Sequence, residues 1–257
     1  MLDLEKIKNP GVFKKNGNNR QDTPIKEVIG LPFKHGAYTF GIELETYNSG
    51  FGMMQITGKG DGSIRGDGPH TEFVSPILQG DKGIYFAAKM INSIREHGAG
   101  VNESTGFHVH IGGSACSVDP GKTDSQINEF ASCLVNNFQN IQDWAFNINE
   151  DKSRSTRSYS GALSEKLSTE KPRVTYNNAS NRKAIRFTQH STVEFRSAQG
   201  LLDHEKGVAW ILACMAQVSL ACRLITVTDP SQLLVYTPEI NNLIQSKLNI
   251  KVNATVE

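Results

Sequence analysis

Alternation of apolar and polar residues is sharpest in three short stretches of this chain. The stretch Ala37-Tyr38-Thr39-Phe40-Gly41-Ile42-Glu43-Leu44-Glu45-Thr46-Tyr47 predicts a strand. Side chains two apart on a strand share a face, so Glu43 and Glu45 project one way and Ile42 and Leu44 the other. Thr105-Gly106-Phe107-His108-Val109-His110-Ile111-Gly112 repeats the pattern, with two histidines on the polar face. Thr192-Val193-Glu194-Phe195-Arg196 repeats it with a glutamate and an arginine. His70 to Leu78 reads as a further strand, stopped by Pro76 and Gly80, and Arg173–Tyr176 and Lys183–Thr188 read as two more.

A helical period replaces this alternation elsewhere. Ile84, Ala87, Ala88, Ile91 and Ile94 mark a helix over Gly83–His97, ended by Gly98. Ser125 to about Asn147 carries Phe130, Leu134, Phe138, Ile141 and Trp144 at helical spacing. His204–Thr226 is apolar on every face and predicts a buried helix, and Pro238–Leu248 a short helical tail. Residues 48–70 are glycine-rich and read as a loop. Strands and helices are mixed without strict alternation, which favours an α+β fold with a mainly antiparallel sheet over a doubly wound one. Residues 1–36 read as an N-terminal arm, and 37–257 as one domain with a polar insertion at about 150–182.

Composition narrows the function classes. A net charge of +1 over 257 residues gives no basic excess for nucleic acid. The first thirty residues are polar, without the apolar core of a signal peptide. No apolar run reaches the ~20 residues of a membrane span. The four cysteines lack short C-x-x-C spacing. The expectation is a cytoplasmic protein with no membrane or nucleic-acid partner.

The polar faces supply the candidate chemistry. Two glutamates side by side on an apolar strand repel each other unless a cation lies between them. Paired histidines two apart suit a metal or a phosphate. Each pattern also has a plainer reading: a solvated strand face, a structural histidine, a surface ion pair. Glu72, in His70-Thr71-Glu72-Phe73-Val74-Ser75-Pro76, follows Asp61-Gly62-Ser63 and is a further candidate. Carboxylates with one imidazole favour Mg²⁺ or Mn²⁺ over zinc. Two other stretches fall away. Pro120-Gly121-Lys122-Thr123 lacks the first P-loop glycine, whose place is taken by Cys116. Gly58–Gly68 lacks the strand–helix context of a dinucleotide site.

Four of these segments, in this order, resemble the amidoligase branch of the glutamine synthetase / glutamate–cysteine ligase superfamily. They are Gly41-Ile42-Glu43-Leu44-Glu45, then Asp61-Gly62-Ser63 with Glu72-Phe73-Val74-Ser75-Pro76, then Gly106-Phe107-His108-Val109-His110-Ile111-Gly112, and Val193-Glu194-Phe195-Arg196. The resemblance implies an antiparallel sheet curved into a partial barrel, with ATP entering one end. It implies an ATP-dependent carboxylate–amine ligase working through an acyl phosphate, with two or more Mg²⁺ or Mn²⁺ ions. Glu43, His108 and Glu194 would hold the ion nearest the γ-phosphate. Glu45 and Glu72, with Asp61, would hold the other. Arg196 would contact the transferring phosphate, and His110 phosphate or substrate.

One position departs from the glutamine synthetase pattern. The arginine expected two residues before Glu194 is Thr192 here. Arg186 and Arg173 are the nearest substitutes, with Arg154 and Arg157 further off. The substrates are expected to be a small-molecule or peptide carboxylate and an amine. A metal-dependent hydrolase or phosphotransferase, or a non-catalytic nucleotide-binding protein, stands as the alternative.

Overall fold

A computed structural model describes residues 38–49, 57–112, 124–148, 184–188 and 192–252. It is α+β, with six strands and, among the described residues, four α-helices. The strands are β1 (Thr39–Tyr47), β2 (Thr57–Gly60), β3 (His70–Val74), β4 (Phe107–Gly112), β5 (Ile185–Phe187) and β6 (Val193–Phe195). The helices are α1 (Gly80–Glu96), α2 (Asp124–Asn147), α3 (His204–Cys222) and α4 (Pro238–Lys247). The strands form one open sheet in the order β2-β3-β1-β4-β6-β5, every pairing antiparallel.

The two-residue period divides this sheet into an apolar and a polar face. Ile42, Leu44, Phe73, Phe107, Val109, Ile111, Val193 and Phe195 are all buried on the apolar face. The helices pack there. Phe138 of α2 and Trp210 of α3 meet the ring of Phe195 at centroid distances of 6.4 and 6.5 Å. Helix α3 lies at the centre, against β4 and against α1, α2 and α4. By length and composition it is apolar enough to cross a membrane, yet here it is the core helix of the fold. Gly207 permits that position, because a Cβ there would meet Ile91 Cδ1 at 2.6 Å. Helix α1 ends where the sequence indicates, with Gly98 at φ +80° and its N–H on the Arg95 carbonyl at 3.0 Å.

Two strand readings change. The glycine-rich stretch is not all loop, for Thr57–Gly60 forms β2 on the sheet edge beside β3. Nor does the strand from His70 run to Leu78. It stops at Val74, and Leu78 rejoins β1 only as an isolated bridge to Phe40. Pro76 has no N–H to donate there, and the neighbouring Ser75 Oγ accepts the Ile42 N–H at 2.9 Å. The expected strand at Arg173–Tyr176, the arm 1–36 and the insertion at about 150–182 lie outside the described residues.

Candidate metal centre

The sheet register lines up the polar groups of the three alternating stretches. Glu43 of β1 lies opposite His108 of β4, and Glu45 opposite Glu72 of β3. Gly41 lies opposite His110, which in turn faces Glu194 of β6, and Glu194 faces Arg186 of β5. Lys59 of β2 faces Glu72. One continuous polar face thus spans the sheet from edge to edge.

Two groups of ligand atoms form on this face. Glu43, His108 and Glu194 bring one ligand atom each within 4.8 Å of one another, and so do Glu45, Asp61 and Glu72. His108 joins the groups. Its Nδ1 is 3.2 Å from Glu43 Oε2 and 3.7 Å from Glu194 Oε1, and its Nε2 is 3.9 Å from Glu45 Oε1. His110 Nε2 lies 3.3 Å from Glu43 Oε1 and 3.9 Å from Glu194 Oε1.

The surface-pair reading of Glu194 and Arg196 fails on burial. Glu194 is only 1% exposed, beneath a carboxylate–imidazole cluster. Arg196 Nη1 contacts Glu194 Oε1, and its guanidinium reaches to 3.5 Å from His108 Nδ1. Arg186 Nε approaches Glu194 Oε2 at 3.3 Å. The position of the missing arginine, Thr192, binds a histidine instead: its hydroxyl is 3.2 Å from His110 Nδ1 and 2.7 Å from Thr188 Oγ1. Arg173, Arg154 and Arg157 lie outside the described residues. Asp61 is held by its own turn, with Oδ1 accepting from Ser63 N at 2.8 Å and Ser63 Oγ at 2.7 Å.

The electrostatics of the two groups differ. Burial opposes ionisation of Glu43, but its contacts with His108 and His110 outweigh burial and hold the carboxyl well below the usual range. Burial pushes the Glu72 carboxyl up. The Lys59 ammonium, 3.0 Å from Glu72 Oε1, works against that, while the charge on Glu43 adds to it. The first group is matched by two arginines. The second has three carboxylates and one lysine.

These residues suit a hard divalent cation. The second group is all carboxylate and the first adds the His108 imidazole, donors that such a cation accepts. Two buried atoms of the face, Glu194 Oε2 and His110 Nε2, have Arg186 Nε and Glu43 Oε1 respectively at 3.3 Å, but outside hydrogen-bond geometry. Buried polar atoms are normally well partnered, so this incomplete partnering leaves both atoms with capacity for a further ligand. Gly106 leaves the space. A Cβ there would stand 2.5 Å from His108 Nε2 and 3.0 Å from Glu45 Oε2.

Sequence reasoning missed Lys59, because a strand reading Thr-Gly-Lys-Gly has almost no apolar alternation to betray it. It also left Thr192 as a gap, with nothing to show that its hydroxyl reaches His110 across the β4–β6 pairing.

No curated protein matches the chain. A family model with the description "Putative amidoligase enzyme" matches residues 65–218. That span includes Glu72, His108, His110, Arg186, Glu194 and Arg196, while β1 and Asp61 lie upstream of it. With more than half of its 257 residues matched, the chain belongs to this amidoligase family.

Proposed function

We propose that this ligase-type protein joins a carboxylate to an amine at the expense of ATP, on the polar face of the sheet. The observation that carries the reading is two ligand groups side by side, Glu43/His108/Glu194 and Glu45/Asp61/Glu72, with Arg186 and Arg196 at one of them. Two cation positions next to two guanidinium groups fit a chain of phosphates. The same groups stand in the order found in the glutamine synthetase / glutamate–cysteine ligase superfamily, and the open antiparallel sheet is consistent with a catalytic domain of that kind.

The chemistry would divide as follows. Glu43, His108 and Glu194 hold one ion, and Glu45, Glu72 and Asp61 the other. Divalent ions bound there would offset the negative charge of the phosphates. Arg196 and Arg186 present N–H donors to the γ-phosphate. A substrate carboxylate oxygen attacks the γ-phosphorus, the bond to the bridging oxygen breaks, and ADP leaves. The amine then attacks the acyl carbon and phosphate departs, giving the amide. Positioning and charge stabilisation suffice for the first step, because phosphoryl transfer needs little covalent help from the protein. His110, held by Thr192, is placed to contact a phosphate oxygen or to take the proton of the incoming ammonium. Carboxylate and amine are small molecules or peptides, and the chain is read as cytoplasmic.

ADP release tests the reading, measured with Mg²⁺ or Mn²⁺ across a panel of carboxylates and amines. The expected result is release that needs both an acid and an amine. Glu43→Ala and Glu194→Ala should each lower turnover by a factor of about 10²–10³, in line with removing a preorganised electrostatic group, with the circular-dichroism spectrum unchanged. Full turnover in either variant would sink the site assignment. ADP release indifferent to the amine would assign hydrolysis or phosphotransfer instead.

A further inference from the structure

We infer that Lys59 is the internal counter-cation of the Glu45/Asp61/Glu72 group and weakens the hold of that group on a divalent ion. The inference rests on the two-cation reading above and concerns a residue which that reading does not use.

Lys59, Glu72 and Glu45 stand in one row on three neighbouring strands, each opposite the next. Like charges directly opposite across antiparallel strands are destabilising, and burial makes this worse. Glu45 is 8% exposed and Glu72 7%. The Glu45 carboxylate has the His108 imidazole beside it, with Nε2 3.9 Å from Oε1. Counted by formal charge with Asp61, three carboxylates face one ammonium, and two negative charges remain. One divalent ion would match that remainder.

Lys59 does not fill that place rigidly. Its side chain is 64% exposed, and only its ammonium reaches into the row, 3.0 Å from Glu72 Oε1. The lysine is a point charge on a flexible stem, and can swing off Glu72 without moving the strand. Arg196 differs, with only 16% of its side chain exposed beside Glu194. Lys59 therefore does two things. It keeps the carboxylates together when no ion is present. It also competes with an incoming ion for the Glu72 oxygen and repels it.

Mn²⁺ binding measures the effect without any reliance on catalysis. The free ion is followed by electron paramagnetic resonance as Mn²⁺ is titrated into the wild-type chain, Lys59→Met and Lys59→Arg. The expected result is one binding step tightened about tenfold in Lys59→Met, the order for removing one screened unit charge beside a divalent ion, with the other step unchanged. Lys59→Arg keeps the charge and should return the affinity to within about threefold of wild type. Two steps in the wild type, both unchanged or weaker in Lys59→Met, would overturn the role of Lys59 and leave the two-cation reading standing. No Mn²⁺ binding by any of the three chains, all folded by circular dichroism, would overturn both.

Discussion

Gly106 occupies a place where no side chain fits. Its hypothetical Cβ falls 2.5 Å from His108 Nε2, closer than real contacts allow, and 3.0 Å from Glu45 Oε2. The imidazole and the carboxylate it would displace belong one to each ligand group. Gly106→Ala should therefore push His108 off Glu43, weakening Mn²⁺ binding at least tenfold, with a stability loss of about 1–3 kcal/mol from overpacking. Isothermal titration with Mn²⁺ and urea denaturation read the two effects separately. Unchanged affinity would show that His108 is free to move without cost. The same reasoning explains Thr192: the hydroxyl fixes one nitrogen of His110 and leaves the other facing Glu43, so this position orients a histidine.

At the scale of elements, the polar face depends on how firmly the apolar one is packed. The end of α3 is fixed by Asp203, whose carboxylate accepts from Glu205 N at 2.9 Å and Lys206 N at 3.1 Å. Burial acts against that carboxylate, but the backbone N–H groups and Lys247 outweigh burial and set its ionisation below the usual range. A carboxyl with a folded value below its unfolded one stabilises the fold above the unfolded value, and that contribution is lost as pH falls through the folded value. Asp203→Ala should cost about 1 kcal/mol at neutral pH. The gap between variant and wild type should narrow as the pH falls below about 4, where Asp203 begins to protonate in the unfolded chain. Urea unfolding at pH 7 and at pH 3.5 checks this, and a gap that widens on acidification would contradict it. Strands β5 and β6 carry three residues each. Their place in the sheet owes more to Ile185, Val193 and Phe195 on the core side than to their length.

For the whole molecule, the consequence of the site is a conflict between folding and charge. Glu45, Glu72 and Glu194 are buried within one sheet face, and the cations are spread unevenly among them, with Arg186 and Arg196 both at Glu194 and Lys59 at Glu72. A ligand that binds only the folded chain stabilises it by mass action, by about 2.7 kcal/mol at one hundred times its Kd. Saturating Mg²⁺ or Mn²⁺ should raise the Tm of the wild-type chain by about 5–10 °C, the size of shift that such a gain gives in a domain of this length. The rise should vanish with a chelator and be reduced in Glu194→Gln. A Tm indifferent to either ion would count against cation binding on this face.

Much of the site is legible in the sequence because a two-residue period needs no tertiary information. The alternation at Glu43/Glu45, His108/His110 and Glu194/Arg196 assigns each side chain to the polar face, and the sheet keeps all of those assignments. Helices α1 and α2 are legible for the same reason, at a period of 3.6, and α3 from its long apolar run. Period alone says nothing about neighbours across the sheet. The pairing of Glu45 with Glu72 and of Glu43 with His108 is a matter of register, fixed by which apolar residues meet beneath. Strand β2 had no pattern to be read, since glycine alternating with threonine and lysine has neither an apolar face nor strand propensity. It is a strand only because β3 offers it an edge. The sequence alone therefore determined which residues face the site. Tertiary structure decided which of them touch, and brought Lys59 among them, because hydrogen-bonded register couples residues that are distant along the chain.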